Sequence, residues 1–354
     1  MNVDYLVIGQ GISGTFLSYC LMQEGKSFLV MDDFQPYSSS RVAAGIINPV
    51  TGRRMVTVWL AGEILPYAAK AYADIGRQLA IDPISPKSVI DFFPNPFMRE
   101  SFVKRIEEND QYVHTYPEQN QFNPYFQYEF GCGEIRPAYL VHLETLLPAW
   151  RQYLVNEKLL LEEKFDMQEL VVNEPGITYK DITASAIIYC DGAGSFENPY
   201  FELLPFAPNK GEALIVEIPD LPDQHIYKKN MTLSPLAGKD LFWLGSIYQW
   251  EFDNPDPSPA FRKNAEAVLK EWLKVPYKVV DHLASIRPAT LERRPFVGMH
   301  PHHKNIGILN GMGTKGCSLA PYFAKQLTDH LLYSKEISAE ADVRRFSRIL
   351  GKHS

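Results

Sequence analysis

The chain has 354 residues, 45% apolar and 22% charged, enough for one large or two interleaved globular domains. Its formal net charge of −7 argues against a nucleic-acid surface, which wants a basic patch. No apolar run approaches the roughly 18 residues of a membrane span. Asp4–Ile8 reads as a buried strand. Gly9-Gln-Gly11-Ile12-Ser13-Gly14 follows as a glycine turn opening a helix, and Ser27–Met31 is a second strand ending in Asp32-Asp33. In this strand–turn–helix–strand–acid pattern, Gly9 allows the tight turn, and Gly11 lets backbone approach a pyrophosphate. Gly14 lets the helix sit close to the strand, and Asp32 is spaced to bind a ribose hydroxyl. The helix N-terminus, with Ile12 and Ser13, supplies N–H donors and partial positive charge for phosphates. The unit predicts a bound dinucleotide.

Residues 38–58 are a run of small residues without clear period, containing Arg41, Ala43, Ala44, Gly45, Arg53 and Arg54. Ala61–Leu79 has helical apolar spacing. Residues 82–130, rich in aromatics and X-Pro pairs, read as short strands and loops, with the aromatics mostly in a sheet core. Ala138–Asn156 reads as a helix, and Glu162-Glu163 as a solvated turn. Ile177–Thr183 suggests a hairpin. Ala186–Cys190 is a buried strand ending in Asp191-Gly192-Ala193-Gly194, where an open α/β sheet takes its ligand. Residues 210–252 alternate like strands, residues 254–259 form a turn, and Phe261–Leu273 is a helix.

The last block runs from Arg287-Pro288 through Pro295–Gly298 and a strand, Ile306–Leu309. It continues into Asn310-Gly311-Met312-Gly313-Thr314-Lys315-Gly316 and a helix from about Ser318 to Leu332. No linker separates these pieces, so the domains are expected to interleave. His300, His302 and His303 lie between strands and read as surface histidines rather than metal ligands. Cys20, Cys132, Cys190 and Cys317 form no CxxC pair and fit free thiols. With the first strand beginning at Asp4, leaving no room ahead for a signal peptide, they point to the cytoplasm.

Three separated blocks together resemble the D-amino acid oxidase / glycine oxidase family of FAD-dependent oxidoreductases. They are the glycine turn with Asp32, Ser40-Arg41-Val42-Ala43-Ala44-Gly45, and Arg287-Pro288 … Pro295-Phe-Val-Gly298 … Gly311–Gly316 … Ala320-Pro321. Lys210-Gly211-Glu212 and Gly245-Ser246-Ile247-Tyr248 are similar to further family segments. The resemblance covers about half the chain. It implies an α/β fold: a Rossmann-like FAD-binding domain of the glutathione-reductase-like variant, interleaved with a substrate domain of mixed β-sheet plus helices. The FAD domain would take residues 1–79, 141–205 and 283–354, and the substrate domain 80–140 and 206–282.

The resemblance also implies roles. Ala43, Ala44 and Gly45 would lie against the flavin ring. Gly192 and Gly194 would sit near the diphosphate or ribose, and Phe165 near the adenine. Backbone N–H groups of Gly313, Thr314 and Lys315 would meet the pyrimidine end of the ring, where charge develops on reduction. FAD would be non-covalent, because Ala289-Thr290-Leu291 stands where covalent relatives carry a cysteine. The expected reaction oxidises the CH–NH group of a small amine or amino-acid-like substrate. Thr314 occupies the position of the arginine with which glycine oxidase-like members clamp the substrate carboxylate. Arg287 is the preferred replacement, ahead of Arg53 and Arg54; Lys315 is not an equivalent fork. Tyr248 would hydrogen-bond substrate over the ring. Two rivals are a flavoenzyme acting on a modified tRNA base, against which the acidic balance counts, and a flavin-binding protein without turnover, which the missing loop arginine favours.

Overall fold

The computed structural model describes residues 1–352. Two sheets organise them. The first has a parallel centre in the spatial order Leu160–Leu161, Phe28–Met31, Asn2–Ile8, Ile182–Tyr189, Ile306–Asn310. Its strands are apolar on both faces, as a sheet covered on both sides requires. The order reverses at Asn2–Ile8: the chain leaves it for Phe28–Met31 on one side, and Ile182–Tyr189 lies on the other. Such a switch point opens a crevice at the carboxyl ends of the strands. An antiparallel extension, Leu170–Val172 and Ile177–Tyr179, adds one edge, and Phe296–Met299 pairs with Ile306–Asn310.

Four helices, Ile12–Gln23, Ala61–Leu79, Leu143–Asn156 and Gly316–Tyr333, share one core cluster on this sheet. Ile12–Gln23 is buried nearly all round, so its polar residues need partners. Ser18 Oγ donates to Gly14 O at 2.7 Å and accepts from Trp150 Nε1 at 2.9 Å, and Gln10 Nε2 donates to Thr15 Oγ1 at 3.1 Å.

The second sheet runs Lys278–Arg287, Asn209–Glu217, Leu241–Gly245, Thr232–Pro235, His225–Lys228, Ile84–Phe92, Cys132–Val141, Ile46–Ile47. It is antiparallel except between His225–Lys228 and Ile84–Phe92. One face carries Leu214, Val216, Phe242 and Leu244 into a cluster with the helix Pro259–Trp272. The other carries Trp243, whose Nε1 donates to Val42 O at 2.9 Å, so this face turns toward the Ser39–Val42 helix and the Ala43-Ala44 segment.

Three expectations are corrected. Residues 138–141 finish the strand Cys132–Val141, and the helix begins only at Leu143. A short apolar run does not distinguish the two, and pairing with Ile84–Lys87 and Ile46-Ile47 decides it. Within 82–130 there is a nine-residue strand, Ile84–Phe92, and a helix, Pro96–Glu107. The Asn95-Pro96 pair is a helix start: Asn95 Oδ1 accepts from Met98 N at 3.0 Å, with proline in the first turn. The run 38–58 contains a one-turn helix, Ser39–Val42, and a hairpin of Val50–Thr51 with Val56–Thr57.

Candidate functional site

Every glycine or acid motif named above for the first sheet lies at the carboxyl end of one of four adjacent parallel strands. Gly9–Gly14 follows Asn2–Ile8, and Asp32 follows Phe28–Met31. Asp191–Gly194 follows Ile182–Tyr189, and Gly311–Gly316 follows Ile306–Asn310.

At the first of these, Gly9 has φ +97°, and a Cβ there would lie 2.7 Å from Cys190 O. A Cβ at Gly14 would collide with Gly9 O, so the helix sits on the turn only because Gly14 has none. The helix N-cap, Gly11, offers no side-chain cap, and Ile12 N donates to Ser40 Oγ at 3.0 Å. Uncapped N–H groups at a helix start are an anion site.

Asp32 is held from three sides. Its Oδ1 accepts from Gln10 N at 2.9 Å; its Oδ2 accepts from Phe34 N at 3.0 Å and from Arg151 Nη1 at 2.6 Å. Arg151, buried in the helix Leu143–Asn156, also pairs with Glu162 at 2.9 Å. Glu162 is thus an ion-pair partner and not merely part of a solvated turn. No sequence pattern marks Arg151, because a helical arginine 119 residues from Asp32 carries no local signal. Asp33 is exposed, with Gln35 Nε2 2.8 Å from its Oδ2. Arg41 lies 4.7 Å from the Phe34 ring centre and donates to Gln10 Oε1 at 3.2 Å; burial lowers its pKa.

The next two strand ends are tied together. Asn310 Nδ2 donates to Gly192 O at 2.8 Å and to Ser195 Oγ at 2.9 Å, and Ser195 hydrogen-bonds Asp191. Burial pushes the Asp191 carboxyl up to about 6. Gly192 has φ +59° with open space where its Cβ would stand. The sequence assigns neither a role: Ser195 follows Gly194, and Asn310 opens the Gly311–Gly316 run, but their side chains act on each other across 115 residues. Phe165 is stacked on Tyr179 at 4.9 Å and edge-on to Tyr189, so one face of its ring is already covered.

In the last loop Gly311 has φ +78° and Gly313 φ +56°, and Gly313 N donates to Pro288 O at 3.1 Å, joining this loop to Arg287-Pro288. Thr314 is exposed. Lys315 is half-buried without an ion pair among the described residues, and its pKa is lowered by burial and by Arg294 and Arg293. Ala43 is exposed and Ala44 half-buried. Gly45, at φ +74°, answers to sheet packing: a Cβ would collide with Val141 O, and Val141 N donates to Gly45 O at 2.8 Å.

On the facing sheet, Arg287 Nη1 donates to Asn209 Oδ1 at 2.8 Å and to Ile247 O at 3.1 Å, and Nη2 donates to Ser246 Oγ. The guanidinium lies across Gly211, in the space a Cβ would fill, 5.2 Å from the Tyr248 ring centre. It is half-buried, with no carboxylate partner among the described residues, and desolvation lowers its pKa. Arg53 and Arg54 are exposed at the hairpin turn. His300 is buried against Tyr200, Phe201 and His303, and burial pushes it down to about 4, so it is a neutral core residue and not a surface one. Among the described residues no three His, Cys, Asp or Glu side chains are grouped to hold a metal, and no helix is long and apolar enough to cross a membrane.

A doubly wound sheet with an anion-ready helix start, an acid on the neighbouring strand and a second sheet facing the crevice defines a dinucleotide-dependent protein of two interleaved layers. Residues 4–330 match the DAO family of FAD dependent oxidoreductases, and the chain belongs to that family. It is similar to the glycine oxidase of Bacillus subtilis (strain 168), 22% identical over 364 aligned positions that cover 96% of this chain and 95% of the relative. Among solved structures it resembles glycine oxidase from Geobacillus kaustophilus, with TM-score 0.79, 18% identity and 98% of each chain covered. It also resembles L-proline dehydrogenase from P. horikoshii, with TM-score 0.77, 13% identity and 98% of each chain covered. The protein is an FAD-dependent oxidoreductase. The residues present fit the cofactor: the cradle at Gly9 and Gly14 has no room for a Cβ, Gly11 gives the helix start no side-chain cap beyond the Ser40 hydroxyl on Ile12 N, and the space at Gly192 is open.

Proposed function

We propose that the protein oxidises the CH–NH group of a small amine carrying a carboxylate, an amino acid or N-substituted amino acid, with Arg287 as the carboxylate anchor. Arg287 carries this reading. A half-buried arginine held by three neutral oxygens and no acid leaves its positive charge uncompensated. Burying such a charge costs several kcal/mol unless an anion arrives. It also replaces, from a different strand, the loop arginine whose place Thr314 takes.

FAD, when bound, supplies the hydride acceptor. The chain's own residues bind and orient. The N–H groups of Ile12 and Ser13, with Ser40 and Arg41, would hold the diphosphate, Asp32 the ribose, and Asp191–Gly194 the adjoining linkage. Gly311–Gly316 and Ala43-Ala44 would border the ring. Lys315, near the start of the helix Gly316–Tyr333, would favour negative charge at the ring's pyrimidine end. Arg287 fixes the substrate carboxylate, and Asn209 and Ser246 fix Arg287. Non-covalent FAD agrees with Ala289–Leu291 and with four cysteines that are all buried. Those free thiols also support a reducing, cytoplasmic setting. The two sheets support the proposed division into an FAD domain and a substrate domain, with Ile46-Ile47 and the end of Lys278–Arg287 crossing over.

The test is anaerobic bleaching of the flavin by glycine, sarcosine, proline and a panel of D- and L-amino acids. Arg287→Met should leave FAD bound and raise KM about 30-fold or more, from the loss of one buried charge-assisted pair of about 2–5 kcal/mol. Failure of the whole panel to bleach the flavin would overturn the amine-oxidation reading, and an unchanged KM would remove Arg287 from the site.

A further inference from the structure

The loop leaving the strand Leu241–Gly245 carries Tyr248 and Trp250, each 59% exposed. Its direction is fixed at one point. Lys210 N donates to Gln249 O at 2.8 Å, and Gln249 N donates to Lys210 O at 3.0 Å, an antiparallel bridge. Residues opposite each other in such a bridge share a face, and their chain neighbours take the other. Lys210 lies with Glu212, 3.4 Å away, and Glu212 caps toward Ser258 at the start of the helix Pro259–Trp272. Gln249 therefore belongs to the helix face. Tyr248 and Trp250 belong to the opposite face, that of Asn209, Gly211 and Arg287.

Contacts agree for Tyr248, whose ring is flanked by the Arg287 guanidinium. Continued one residue past the bridge, the same alternation would bring Trp250 to the side of Asn209, the residue that accepts from Arg287 Nη1. An indole and a phenol thus stand with most of their surface in water beside an arginine without a carboxylate partner among the described residues. Apolar area of that size gains most by covering another flat apolar group.

We propose that Tyr248 and Trp250 form the side-chain subsite of the substrate anchored by Arg287, and that the substrate is an amino acid with a planar aromatic side chain. This rests on Arg287 binding the carboxylate. Trp250 acts as a specificity determinant; it does not touch the reacting atoms.

The test uses the FAD-loaded enzyme and three carboxylates of increasing flat area: acetate, phenylacetate and indole-3-acetate. Binding is followed by perturbation of the flavin spectrum, without turnover. Indole-3-acetate should bind at least about tenfold tighter than acetate. Trp250→Ala should erase most of that preference while leaving acetate unchanged, and Trp250→Phe should keep most of it. Equal affinities in the unaltered enzyme, with acetate binding lost in Arg287→Met, would overturn the aromatic subsite and leave the anchor standing. No binding of any of the three would overturn the anchor and the subsite with it. A preference that survives Trp250→Ala while sedimentation changes would overturn the subsite in favour of a contact between protein chains.

Discussion

Replacing Arg151 tests the adenosine end of the cleft. Arg151→Met removes four hydrogen bonds: Nη1 to Asp32 Oδ2 at 2.6 Å, Nη2 to Asp32 O at 3.2 Å, and two to Glu162 Oε1 at 2.9 and 3.3 Å. The Glu162 side chain is 61% exposed, so that pair contributes less than about 1 kcal/mol. The Asp32 pair is different, with side chains only 10% and 12% exposed. A buried charge-assisted bond is worth about 1.5–3 kcal/mol, and its loss leaves Asp32 Oδ2, on the carboxylate proposed to meet a ribose, held by Phe34 N alone. If about half of that energy is coupled to the cofactor, FAD affinity falls about three- to tenfold, and up to about 100-fold if all of it is. Titration of apo-protein with FAD, read by flavin fluorescence, measures the affinity; melting with and without FAD separates it from stability. Arg151→Lys should fall between the two, because a lysine keeps the charge and loses the fork. An FAD affinity unchanged in Arg151→Met, with only the melting temperature lowered, would refute a role for this pair in the cofactor site.

Two other outcomes are expected. Gly14→Ala must displace the helix start from Gly9 O and should yield protein lacking visible flavin absorbance, whereas normal flavin content would contradict the close approach. Asp191 titrates near 6, above the ordinary carboxylate value of about 4. An acid whose pKa is higher folded than unfolded stabilises the fold while protonated; that contribution is full below about pH 4 and is lost as the pH climbs through about 6. Asp191→Asn keeps an oxygen to accept from Ser195 and Asn310, so its melting temperature should exceed the parent's most above pH 6 and least near pH 4. An offset independent of pH would show that the carboxyl does not titrate in this range.

What could be read ahead of the structure divides along physical lines. Gly9, Gly14 and Gly192 are legible as glycine positions because a backbone conformation or a close approach restricts the residue type, and such restrictions are local. The strand Ile306–Asn310 and the helix Ala61–Leu79 were legible because their apolar periods run uninterrupted. The stretch 138–141 was misread because four apolar residues fit either period, and the deciding partners, Ile84–Lys87, lie some 50 residues earlier. Asn95-Pro96 was misread because the same pair starts helices and turns. Arg151, Ser195 and Asn310 were missed because each acts through a partner distant in sequence or outside any motif. His300 looked exposed beside two other histidines, but Tyr200 and Phe201 enclose it.

The order of the parallel strands also sets when the cofactor can arrive. The helix start comes from the first 14 residues, the Asp191 corner from the middle, and the loop to Gly316 from near the end. A chain emerging in sequence order has no complete cleft until Gly316 is made. Closing contacts over such separations is slow, which leaves a long interval in which the first strands lie unpaired on one side. On the proposed placement, FAD would touch segments from all three regions once the last parallel strand docks, and would bind only their assembled form. At 100 times its dissociation constant it would add about 2.7 kcal/mol to the folded state. Flavin supply during synthesis should then govern how much of this enzyme accumulates, as well as how much of it is active.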